Sequence, residues 1–64
     1  MAKQMNHVEY PKTLKTKSHA ALSFMSRDAH EAIKAMPDGE NVGYYQDEIN
    51  YICMEQFERA QRIG

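Results

Sequence analysis

Three histidines and one cysteine are the residues with the most chemistry in them, and their spacing withholds it. His19 and His30 stand eleven positions apart. On a helix they share a face but lie ~16 Å apart at ~1.5 Å rise per residue. One metal ion cannot span that distance, and ligand pairs on a helix need spacings of three or four. His7 lies in a different segment, so the three read as solvated histidines, and no metal or other cofactor is expected. Cys53 sits among Ile49, Ile52 and Phe57, which supply neither a base nor positive charge. It reads as a small hydrophobe in a core. Asp28, Glu31, Asp47 and Glu48 are the carboxylates that could meet near the middle of the chain, but nothing in their surroundings predicts burial or a raised pKa. There is no glycine-rich phosphate loop and no Ser/His/Asp pattern. No catalytic residue is assigned, and an enzyme is not expected.

The elements that would position these residues are two helices. Ser18 can cap a helix start, and Leu22, Met25, Ala29, Ala32, Ile33 and Met36 recur at helical spacing after it. Pro37-Asp38-Gly39-Glu40-Asn41 breaks the pattern, because proline disfavours helix at and before its own position. Asn41 can cap a second helix with Asp47 and Glu48 towards its positive end. Its expected apolar stripe is Val42, Tyr45, Ile49, Ile52, Cys53, Phe57, Ala60 and Ile63. Residues 18–36 and 41–63 then form an antiparallel all-α hairpin. Residues 1–17 lack a helical period, contain Pro11, and read as a flexible arm.

At 64 residues the chain makes at most one domain, with a thin core. One cysteine permits no internal disulfide, so pairing of two hairpins into a dimeric four-helix arrangement is the expected support. No apolar run is long enough for a membrane span, and a single cysteine fits a cytoplasmic protein.

Charge is unevenly divided. Lys3, Lys12, Lys15 and Lys17 against Glu9 give the first twenty residues +3, while the remainder carries −4, for a net charge of −1. An acidic body repels a phosphate backbone, so nucleic acid is a less favoured partner than protein. Lys12, Lys15 and Lys17 could still make a salt-sensitive contact with nucleic acid or an acidic surface. Glu55–Arg59 and Glu58–Arg62 are i,i+4 pairs in the favourable order and read as a solvated face, worth about 0.3–0.5 kcal/mol each.

Binding is the function these patterns suggest. Tyr44 and Tyr51 are seven apart and fall roughly opposite the expected stripe. They form either a ridge for a partner, flanked by Glu55 and Arg62, or a surface packed against the N-terminal arm or a sister subunit. Phe24 lies off the line of Leu22, Met25, Ala29 and Met36 and is a further interface candidate.

Two resemblances bear on this. Ala21-Leu22-Ser23-Phe24, Asp28-Ala29-His30-Glu31-Ala32 and Gly43-Tyr44-Tyr45-Gln46-Asp47-Glu48-Ile49-Asn50-Tyr51 together resemble small accessory proteins of tailed bacteriophages, over about residues 17–60. That resemblance implies a protein that binds and modulates, or inhibits, a host or phage protein in an infected bacterium. Asp47-Glu48-Ile49, Met54-Glu55-Gln56-Phe57 and Arg62-Ile63-Gly64 are similar to the second helix of Arc-type ribbon-helix-helix repressors. It implies a dimeric DNA-binding regulator with a strand at about Ala20–Met25 and Ser26 capping a shorter helix. Neither face of such a strand would carry the Arg, Gln or Asn that reads bases.

Overall fold

The computed structural model describes residues 4–62 and is all-helical over them, with no strand. Its elements are α1 (Glu9–Leu14), α2 (His19–Ala35) and α3 (Val42–Arg62). Met1–Lys3, Ile63 and Gly64 lie outside the described residues.

The first helix corrects the expectation of a flexible arm over residues 1–17. Asn6 starts it: its side-chain oxygen accepts from the amides of Val8 at 3.0 Å and Glu9 at 2.9 Å. Its backbone carbonyl takes the Tyr10 amide. Asn6-His7-Val8-Glu9 is thus a cap followed three residues later by glutamate. Pro11, next in line, has no amide to place and so does not oppose the turn. Thr13 and Thr16 bond back to the carbonyls of Glu9 and Thr13, and Lys17 N–H closes on Leu14.

α2 begins as its sequence predicts. The Ser18 hydroxyl oxygen accepts from the Ala21 amide at 3.1 Å, and its carbonyl takes Leu22 N–H. The helix stops at Met36, whose φ of −138° and ψ of 72° leave the helical region one residue before Pro37. Gly39 N–H then returns to the Met36 carbonyl at 2.9 Å. A Cβ at Gly39 would stand 3.1 Å from that carbonyl oxygen, which is why the tight turn carries glycine. The Asn41 carbonyl accepts the first helical bond of α3, from Tyr45.

Both α1 and α2 pack on α3. Leu14, Leu22 and Ile52, one from each helix, are fully buried and touch, with Tyr10, Met25 and Tyr51 around them; Ala29 is buried as well. The Cα atoms span 42 × 22 × 14 Å, so no residue lies far from solvent. No helix among the described residues is long and apolar enough to cross a membrane.

The buried stripe of α3 also differs from expectation. Ile52 is buried, and Val42, Tyr45 and Ile49 are half-buried, but Cys53, Phe57 and Ala60 are exposed. Tyr51, Glu55 and Arg59 turn inward instead. The cause is α1, which occupies the side of α3 that an isolated two-helix arrangement would leave to water. Met36, expected in the α2 stripe, is exposed where the helix runs out. The ribbon-helix-helix expectation fails at its defining element: residues 20–25 lie inside α2, so no ribbon exists there.

Leu14→Ala tests whether α1 belongs to the core. It should lower unfolding stability by about 2–5 kcal/mol in urea titration, the range for emptying a buried leucine site. Phe24→Ala, at an exposed position, should change it by less than about 0.5 kcal/mol. A neutral Leu14→Ala would return residues 9–14 to the status of a free arm.

Candidate interaction surface

Polar groups hold α1 in place. Glu55 is only 6% exposed, and its two carboxylate oxygens are divided between two cations. Arg59 Nε donates to Oε2 at 2.8 Å, and Lys15 Nζ donates to Oε1 at 3.2 Å. Arg59 then reaches beyond the pair. Its Nη2 donates to the carbonyls of Leu14 at 3.1 Å, Lys15 at 3.5 Å and Lys17 at 2.7 Å. Those carbonyls belong to the last turn of α1 and the link to α2; that of Leu14 also takes the Lys17 amide. A guanidinium suits the negative end of a helix and can serve several acceptors at once. Lys15 also reaches Glu58 at 3.2 Å, and Arg62 approaches Glu58 at 3.6 Å.

The Arg59 hydrogen bond, with help from Lys15 and against desolvation, holds the Glu55 carboxyl below the usual glutamate range. Glu58 and Glu55 push the Lys15 ammonium upward in turn. The expectation of a solvated Glu55–Arg59 pair is therefore corrected, since this pair is internal. Glu55, Arg62 and Lys15 are engaged within the chain, whereas Lys12 and Lys17 are exposed. The three lysines thus do not form one free basic patch.

The tyrosines line the same side. The Tyr51 ring lies 6.0 Å from that of Tyr10 and 5.8 Å from that of His7. Its hydroxyl is 2.7 Å from His7 Nδ1. Tyr44 stands edge-on to Tyr45 at 5.6 Å. Tyr44 and Tyr51 are both half-buried, Tyr51 packed against the core and α1, so they do not form an open ridge. The Tyr10 hydroxyl is buried without a hydrogen-bond partner among the described residues, although the Glu48 carboxylate approaches it. Burial, then Glu48, raises the Tyr10 phenol far above the ordinary tyrosine range.

Large apolar side chains also remain open. Phe24 and Phe57, the two phenylalanines of the chain, are each 63% exposed, and Val8, Met36 and Met54 are exposed as well. Cys53 is a free, exposed thiol rather than a core residue. His30 and Ile33 of α2 join Gln46, Ile49 and Asn50 of α3 around a shallow open depression. No group of three His, Cys, Asp or Glu side chains among the described residues could hold a metal ion. The sequence pattern missed the internal Glu55 centre because its spacing equally fits a solvated pair. The local signal for it was the Asn6 cap, which announces a helix that must dock somewhere.

Comparison with family models, with curated proteins and with solved structures finds no match to this chain.

Two measurements probe the polar centre. Arg59→Met should cost about 1–3 kcal/mol, the penalty for a carboxylate and several carbonyls losing their donor, trimmed by nearby solvent. Arg59→Lys should recover only part of it, because an ammonium lacks the planar fork. Acid should act through Glu55. A depressed folded-state pKa contributes stability that is present above the ordinary glutamate value and lost as pH falls through the folded value. The melting temperature should therefore drop between about pH 5 and pH 3, and Glu55→Gln should flatten that drop. An unchanged slope in Glu55→Gln would place the acid sensitivity elsewhere.

Proposed function

We propose that this chain is a small binding module that works by contact with another protein, not by catalysis. In this reading it is an accessory protein of the kind tailed phages encode, acting on a host or phage protein in the bacterial cytoplasm. The observation that carries it is the exposure of both phenylalanines while leucine, isoleucine, alanine and tyrosine build the core. A chain with so little apolar material to spare gains no stability by leaving its two phenylalanines in water. Exposed aromatics at a surface are instead the usual anchors of protein contacts.

The architecture supports the reading. Leu22 meets Ile52, while His30 and Ile33 meet Gln46 and Ile49. Later residues of α2 thus lie beside earlier residues of α3, as in an antiparallel helical hairpin. A hairpin braced by α1 is a rigid carrier for outward side chains. Phe24 is the residue we assign to the foreign partner. It stands among Ala20, Ala21, Arg27, Asp28 and Glu31 on the α2 surface, so the contact would pair an aromatic anchor with a rim of mixed charge. A bacterial protein with an apolar pocket bordered by groups of both signs fits that surface. Tyr44 and Tyr51, half-buried beside α1, would brace the surface instead of anchoring the partner.

Tagged protein incubated with bacterial lysate, with and without nuclease, tests this. One protein should be retained after nuclease and lost with Phe24→Glu, while the helical circular-dichroism signal and melting temperature stay unchanged. Recovery that disappears with nuclease, or survives Phe24→Glu, would overturn the assignment.

A further inference from the structure

The charges of α3 are confined to one side. Asp47, Glu48, Glu55, Glu58, Arg59 and Arg62 are its only ionised residues, and at ~100° per residue they fall within about 120° of arc. That arc holds Glu55 and Arg59, which are turned towards α1 and its link to α2. The rest of the helix has no charge. Its side towards α2 is packed, but Gln46, Asn50, Cys53, Phe57, Ala60 and Gln61 remain exposed. An ordinary surface helix carries its charge outward. Here Glu55 and Arg59 turn to α1 and its link, Glu58 and Arg62 stay exposed beside them, and the opposite exposed side carries no charge.

We propose that this uncharged outer side of α3 is a self-association surface, on which a second copy of the chain seats its own α3 about a two-fold axis near Cys53. The proposal rests on the reading of the chain as a binding module and names one occupant of its surface.

Charge and hydrogen-bonding chemistry select the occupant. A two-fold contact brings a patch against itself, so a charged patch would face charge of its own sign. A neutral patch avoids this. Side-chain amides are also self-complementary, since each has both donor and acceptor, which neither a carboxylate nor an ammonium has. A foreign partner selected by charge would find none here to read. Residues 46, 50, 53, 57 and 60 alternate spacings of four and three, the interval at which one helix presents a continuous seam to another. Cys53 lies next to the midpoint of Val42–Arg62, so an axis there overlaps the two helices almost fully.

Antiparallel alignment opposes the helix dipoles. It also places Asn50 against Gln56 of the second copy and Ile49 against Phe57 of the second copy. The depression bordered by His30, Ile33, Gln46, Ile49 and Asn50 then receives a phenylalanine. Each copy gives one aromatic knob and offers one hollow. The thin core of the single chain gains the support that small domains without disulfide or metal take from oligomerisation.

Sedimentation equilibrium over a dilution series reads the proposal. The wild-type chain should reach twice the chain mass. Phe57→Glu should halve that mass while keeping the helical circular-dichroism signal, and Phe24→Glu should leave it doubled. A short bis-maleimide should join wild-type chains into covalent pairs through Cys53, and this decides the matter if Phe57→Glu fails to fold. Chain mass at every concentration, an open series of larger species, a dimer that survives Phe57→Glu or dissociates with Phe24→Glu, or no covalent pair would each overturn it. A wild-type chain that stays at chain mass yet captures a protein through Phe24 would refute self-association and leave the binding reading intact. A dimer that captures nothing would do the reverse.

Discussion

The arrangement of this molecule turns on one carboxylate. Glu55 is buried between Arg59 and Lys15, and the guanidinium that neutralises it also collects the carbonyls of Leu14, Lys15 and Lys17. A buried charge is tolerated only when it is paired and hydrogen-bonded, so the cations and the carbonyl-bearing turn must arrive together. Leu14 stands in that turn, and its burial against Leu22 and Ile52 depends on the same docking. The polar centre fixes where the link runs. The apolar contact supplies the driving force for bringing it there. Neither suffices alone in a body whose Cα atoms are only 14 Å deep in one direction.

The rotation of α3 follows from that constraint. With Glu55 and Arg59 turned to α1, Tyr51 comes inward beside them, and Cys53 and Phe57 must face out because they sit about 160–200° round the helix from Glu55. Exposure of Cys53 and Phe57 is thus a geometric consequence of burying an ion pair. On α3 the usual division of a helix into a dry apolar face and a wet charged one breaks down: Glu55 is buried beside Ile52, while Phe57 is exposed. The aromatic residues packed against the core are Tyr10 and Tyr51; the Tyr51 hydroxyl reaches His7, while that of Tyr10 is buried.

Much of the helical framework was legible in the sequence. Ser18, the Leu22–Ala29 spacing, the Met36-Pro37 stop and Asn41 place α2 and α3 to within a residue or so, because caps and proline act locally. The N-terminal helix was hidden for two reasons. Pro11 argues against a helix in isolation, and a six-residue helix has too few residues to show a period. The facing side of α3 was hidden for a different reason. Val42, Tyr45, Ile49, Cys53, Phe57 and Ala60 make a better apolar stripe than the one that is buried, and pattern alone cannot reveal that Glu55 will be neutralised by a lysine forty residues earlier. For the same reason the spacing of Tyr44 and Tyr51 stands out in the sequence while the helix that Tyr51 packs against does not.

The reach of Arg59 has a consequence for how the chain is made. Its carbonyl partners precede it by 42 to 45 residues, so that segment leaves the ribosome well before the one that secures it. Until then the α1 turn has its cap at Asn6 but no anchor at its other end. A short helix of that kind does not persist by itself in water. The second and third helices can form as their residues appear, from local signals alone. The first must wait for Arg59, so the earliest made of the three helices is not the first to be locked.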